Sequence, residues 1–138
     1  MSNGVTNPNE YKVIIPKGIG HYSIKSSCMW IGCGDNIIEV PTNNFKYDLE
    51  KLRKVIKENK GKIMCVVAYV GDSRTMSIEN LQEVYEVVKS EDKNIWLHAD
   101  ACHGFSLAFS EKLKNKIKGL ELFDSISTEP HKVLMIPY

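Results

Sequence analysis

The chain has 138 residues, 43% hydrophobic and 25% charged, and its 18 basic and 17 acidic side chains leave a net charge of +1. That is the balance of a single globular domain with a core, and the lack of a basic face argues against nucleic acid or an anionic membrane as partner. Its apolar runs are too short to span a bilayer, and the start, MSNGVTNPNE, lacks the charged-then-apolar layout of a signal peptide. The expected location is the cytoplasm.

In chain order, the apolar run KVIIP at residues 12–16 predicts a first strand, and YSIKSSCMWIG at residues 22–32 a short helix ending at a glycine. A second strand is expected at residues 36–40 (NIIEV). YDLEKLRKVIKEN at residues 47–59 then carries apolar residues at helical spacing, with Asp48 near its N-cap. KIMCVVAYV at residues 62–70 reads as a buried strand and IENLQEVYEVVKS at residues 78–90 as an amphipathic helix. NIWLHA at 94–99 and LFDSIS at 122–127 complete the strands. Strands separated by helices imply right-handed crossovers and a mostly parallel sheet with helices on both faces. Ligands of such sheets bind beyond the carboxyl ends of the strands. Attention therefore falls on His21, on GDSRT (71–75), on DACHG (100–104) and on TEPHK (128–132). The four cysteines, Cys28, Cys33, Cys65 and Cys102, lack paired zinc spacing and are expected to be reduced core thiols.

Asp100 follows a strand carrying His98, and Lys132 follows His131 at another strand end. A carboxylate and an amine there are either a plain salt bridge or parts of a site. His98, Asp100 and His103 are close enough in sequence to raise a metal site. Alternation along a strand sets only the first two on one face, with the third beyond a turn, and no metal is expected.

WLHADACHG at residues 96–104, followed by DSISTEPHKV at 124–133, resembles the active-site core of the group II pyridoxal-phosphate-dependent amino acid decarboxylases, the family of aromatic amino acid, glutamate and histidine decarboxylases. GDSRTMSIENLQEV at 71–84 is similar to the family's glycine-threonine-threonine segment and the helix after it, and HYSIKSSCMWIG at 21–32 to its histidine-serine helix. The motifs occur in family order over nearly the whole chain. This resemblance implies the large-domain core of the aspartate-aminotransferase-like fold (fold type I), with pyridoxal 5′-phosphate as cofactor and an amino acid as substrate.

By that resemblance Lys132 is the lysine that forms a Schiff base with the cofactor aldehyde, and Asp100 pairs with the pyridine nitrogen. His21 stacks on the cofactor ring and stands near the substrate. Ser73 falls where a family threonine contacts the cofactor, Cys102 where a small alanine lies beneath the ring, and His131 near the phosphate or the substrate. His98 and Ser127 are further candidates for contact, or for packing and strand-end hydrogen bonding. Asp72 and Arg74 depart from the family segment, and Glu129 replaces the aspartate or asparagine usual before the proline.

Relatives also carry a glycine- and serine-rich phosphate-binding segment upstream and a small carboxy-terminal domain downstream, and neither is recognisable here. The expectation is a partial large domain over residues 1–138, the central piece of a homodimeric enzyme or of an assembly with its missing parts. The alternatives are another fold-type-I lyase, of the sphingosine-phosphate-lyase or cysteine-desulfurase kind, and a non-catalytic interaction subunit.

Overall fold

The computed structural model describes residues 7–137. After a short 3₁₀ turn at Pro8–Glu10, its elements are β1 (Lys12–Pro16), α1 (Ser23–Trp30), β2 (Ile37–Val40), β3 (Thr42–Asn43), β4 (Lys46–Tyr47) and α2 (Leu49–Glu58). There follow β5 (Ile63–Tyr69), α3 (Leu81–Glu91), β6 (Trp96–Asp100) and β7 (Ser125–Ser127). Five strands form one sheet in the order β2-β1-β5-β6-β7, and each neighbouring pair is parallel. The α/β class and the parallel sheet read from the periodicity are those of the structure.

Helices cover both faces, which explains why these strands are near-continuous apolar runs. On one face Ile14, Val66, Ala68, Leu97 and Ala99 pack against Leu52 and Ile56 of α2 and Leu81, Val84 and Val88 of α3. On the other, Val13, Ile15, Val67 and Tyr69 meet Ile24 and Cys28 of α1 and Cys33 beyond it. β1, β2 and β5 divide their residues between these two clusters, as a pleat requires. Among the described residues no helix is long and apolar enough to cross a membrane.

Local chemistry sets the helix ends. Asp48 caps α2 by accepting a hydrogen bond from the Lys51 amide at 3.1 Å. The α1 helix stops in a Schellman turn: Cys33 N donates to Cys28 O at 2.8 Å and Gly32 N to Met29 O at 3.2 Å, with Gly32 at φ +83°. The glycine read as a helix stop thus does that work through its left-handed backbone.

Two expectations need adjustment. Residues 122–127 are not all strand: Leu120–Leu122 form a 3₁₀ turn, and only Ser125–Ser127 pair with β6. The hairpin β3-β4 was not expected, because its strands have two residues each, and its turn uses Asn44 and Phe45 at φ 49° and 62° without any glycine. Buried Glu79 pins that hairpin, with Oε2 accepting from Tyr47 N at 3.0 Å. Burial pushes its carboxyl above the ordinary value, and the hydrogen bonds from Tyr47 and Asn80 amides counter part of that effect.

The chain runs from β1 outward to β2, then returns to the other side of β1 for β5 and continues outward through β6 and β7. The direction of strand addition therefore reverses between β1 and β5. A crevice opens at the carboxyl ends of strands where such a reversal occurs.

Candidate active site

At that reversal His21, Tyr69, Gly71, Asp72, Ser73, Asp100, Cys102, His103 and Lys132 line one narrow cleft. Four separate strand ends supply them: His21 follows β1, Gly71 to Ser73 follow β5, Asp100 to His103 end and follow β6, and Lys132 follows β7. Of the residues singled out from sequence, His21, Ser73, Asp100, Cys102 and Lys132 come together here. His98 and His131 are not among the lining residues.

Register explains the floor of the cleft. Tyr69 on β5 pairs with Asp100 on β6, and Asp100 with Ser127 on β7. Asp100 Oδ1 accepts a hydrogen bond from Cys102 N at 3.2 Å, closing a tight turn as the chain leaves the strand. Cys102 Sγ lies 3.6 Å from Ser127 Oγ, and burial, only partly offset by Ser127, pushes its thiol up to about 11. It is therefore a neutral, weakly nucleophilic thiol at physiological pH. Cys28 and Cys33 are buried free thiols as expected, whereas Cys102 belongs to the cleft rather than the core.

Lys132 reaches the cleft, and its Nζ stands 3.1 Å from Glu129 Oε2. His131 Nε2 meets the same oxygen at 3.0 Å. Glu129 is consequently held below the ordinary carboxylate value, chiefly by its hydrogen bond with Lys132. His21 is exposed at the cleft mouth; its Nδ1 accepts from Ser23 N at 3.2 Å, and its ring lies 4.1 Å from that of Tyr22.

His98 is turned along the sheet toward β7, where its Nδ1 lies 2.8 Å from Ser125 Oγ. Trp96 Nε1 donates to that same oxygen at 2.8 Å. Burial, opposed by the charge of Asp100, depresses the His98 imidazole and favours the neutral ring. We assign the Ser125 hydroxyl proton to His98 Nδ1, which leaves the ring proton on Nε2. His98 and His103 thus part company, and among the described residues no three His, Cys, Asp or Glu side chains gather as a metal site would need.

Tyr69 is not among the residues that stand out from sequence, while Gly71 and Asp72 do so only as members of GDSRT and, for Asp72, as a departure from the family segment. A usable signal for Tyr69 was the alternation Cys65, Val67, Tyr69, which sets it at the strand end on the face opposite Val66 and Ala68. Burial, followed by the charges of Asp100 and Asp72, raises its phenol well above the ordinary value, so it stays protonated. Gly71 is at φ +86°, and a Cβ there would fall 2.9 Å from the Gly104 amide nitrogen and 3.2 Å from His103 Cβ, so the loop after β6 comes too close for a side chain at this position.

Residues 12–138 match the family model described as the pyridoxal-dependent decarboxylase conserved domain. The chain belongs to that family. A glutamate decarboxylase-like protein of Gibberella zeae is 34% identical over 136 residues, which cover 94% of this chain and 25% of the relative. The aromatic-L-amino-acid decarboxylase of Bacillus atrophaeus is 30% identical over 139 residues, covering 97% of this chain and 28% of that protein. Among solved structures, the glutamate decarboxylase domain of a Vibrio parahaemolyticus diaminobutyrate-pyruvate transaminase and L-2,4-diaminobutyrate decarboxylase superimposes with a TM-score of 0.83 at 26% identity, over 93% of this chain and 28% of that one. Oryza sativa TDC with PLP gives a TM-score of 0.84 at 25% identity, over 97% of this chain and 29% of that one. The chain spans about a quarter of the length of the curated relatives it matches. Its fold is that of the pyridoxal-phosphate decarboxylases, fold type I, in part.

Proposed function

We propose that this chain forms part of a pyridoxal 5′-phosphate site for the decarboxylation of an amino acid, as the partial large domain of such an enzyme. The observation that carries the reading is the convergence of Lys132, Asp100, His21 and Ser73 on one cleft from four strand ends. The donor set fits the cofactor. Asp100 is a carboxylate at the cleft with no lysine or arginine ion pair among the described residues, which suits a cationic ring nitrogen.

Lys132 would hold the aldehyde carbon through Nζ, which to do so must both leave Glu129 and give up its ammonium proton to a base such as solvent, since an ammonium is no nucleophile. Asp100 would keep a proton on the pyridine nitrogen, because an adjacent negative charge favours the cationic form. His21 would lie against the ring, and Ser73 and Cys102 would contact it from the ends of β5 and β6. When bound, pyridoxal phosphate supplies an electron sink for the pair left on the substrate α-carbon as carbon dioxide departs. His131, beside Glu129, belongs in this reading to the phosphate or substrate side, and His98 supports the β6 strand end.

The substrate in this reading is an amino acid, the location the cytoplasm, and the assembly a homodimer or a complex with the remaining parts of the enzyme. Carbon dioxide release from a panel of amino acids, with pyridoxal phosphate added and Lys132→Ala as control, tests it. Turnover that requires Lys132 supports decarboxylation. Elimination or carbon–carbon cleavage products without carbon dioxide would assign another fold-type-I lyase.

A further inference from the structure

The two loops leaving the strand reversal, residues 17–22 after β1 and residues 71–77 after β5, are tied to each other in both directions. Asp72 is only 3% exposed, and its two carboxylate oxygens have different tasks. Oδ2 accepts from Arg74 N at 3.2 Å and from Thr75 N and Oγ1 at 3.0 Å each, which closes its own turn. Oδ1 accepts from Gly20 N at 2.8 Å and so reaches the other loop. In return Arg74 Nη2 donates to Gly18 O at 3.2 Å and Gly20 O at 3.5 Å. Both backbone groups of Gly20 are therefore gripped from the β5 loop.

His21 is the next residue. The contacts of its side chain, to Ser23 and Tyr22, are local and fix the ring to nothing across the cleft; across it only the His21 backbone is held, by a hydrogen bond with the Tyr69 hydroxyl. Gly20 has no freedom to be another residue: its φ is +92°, and a Cβ would sit 2.2 Å from the Tyr69 ring. A hydroxyl side chain at position 72 could close the local turn but could not also reach Gly20, whereas a carboxylate has an oxygen for each.

We propose that Asp72, assisted by Arg74, is a positioning residue that fixes His21 in the wall of the cleft. The importance of His21 to the cofactor rests on the function proposed above; the brace itself does not.

Asp72→Asn separates the two tasks, because its oxygen can keep the turn to Arg74 and Thr75 while its NH₂ is set against the Gly20 N–H. Hydrogen–deuterium exchange of the full chain without cofactor should then quicken by about tenfold in residues 17–22, and the carbethoxylation rate of His21 by diethyl pyrocarbonate should rise. Arg74→Ala, altering an exposed side chain, should give a weaker change at the same place. Glu79→Gln, which weakens a buried carboxylate contact elsewhere, should leave His21 and residues 17–22 unchanged. The proposal is overturned if Asp72→Asn leaves residues 17–22 and His21 as in the parent, or if Arg74→Ala has no effect there, or if Glu79→Gln produces the same changes. None of these readouts uses pyridoxal phosphate, so failure of the chain to take up that cofactor would remove the functional reading and leave these results to decide the brace.

Discussion

Glu129 Oε2 stands 3.1 Å from Lys132 Nζ and 3.0 Å from His131 Nε2, so a single carboxylate oxygen serves both polar members of the proline-histidine-lysine triplet. The pair is partly exposed, with 38% of the Glu129 side chain and 27% of that of Lys132 open to solvent. Exposed pairs of this kind contribute roughly 0–1 kcal/mol.

Glu129→Gln is therefore expected to shift stability by less than about 1 kcal/mol while removing the counter-charge that holds Lys132. At a fixed concentration of pyridoxal phosphate, the yield of borohydride-reduced adduct on Lys132 should rise. An unchanged yield beside an unchanged melt would show that the contact does not restrain the lysine.

The acid limb of stability should carry the signature of Asp72. Burial opposes its ionisation, but the hydrogen bonds from Gly20, Thr75 and Arg74 prevail and hold the carboxyl below its ordinary 3.8. A folded-state value below the unfolded one means that the ionised group stabilises the fold above that pH and ceases to do so as pH falls through the folded value. Asp72→Asn should cost about 2 kcal/mol at pH 7, and the difference from the parent should shrink as the pH falls below the ordinary 3.8 and through the lower folded value. Urea melts at neutral pH and across that acid range measure it.

Gly104 sits where the β6 loop crosses the end of β5. Its amide donates to Val70 O at 2.8 Å, and a Cβ on it would fall 2.4 Å from that same oxygen. Gly104→Ala must push two backbones apart and is expected to cost about 2–3 kcal/mol, read as a drop in the urea midpoint. Tyr69 fluorescence should shift as well, because this loop and Tyr69 share the cleft.

The fold was legible where burial imposes a pattern. Parallel strands covered on both faces must be apolar throughout, and α2 and α3 must show one apolar stripe, so their residues announce them. The hairpin at residues 42–47 escaped because two-residue strands have no period, and its left-handed turn residues are Asn44 and Phe45 rather than glycine. The strand-end rule together with the family motifs led to His21, Ser73, Asp100, Cys102 and Lys132, which do share a cleft. His98 alternates with Asp100 on one strand and could be read either as a cofactor contact or as a strand-end hydrogen-bonding residue; its ring lies 2.8 Å from Ser125 on the neighbouring strand, the second of these. Asp72 stood out in sequence only as a departure from a family segment. Its partner Gly20 lies 52 residues away, a distance no local pattern spans.

Asp100→Asn preserves shape and the acceptor for Cys102 N but removes the charge. Decarboxylation is expected to fall by roughly 100-fold or more, with cofactor still captured at Lys132. Loss of capture in step with loss of turnover would assign Asp100 to folding of the cleft rather than to its electrostatics.

The most direct test of the central claim is to mix the purified chain with pyridoxal phosphate, reduce with borohydride and locate the adduct by peptide mass mapping. A single dominant adduct on Lys132, abolished by Lys132→Ala, is the predicted result. Labelling scattered over exposed lysines such as Lys54 and Lys57, with none on Lys132, would contradict it.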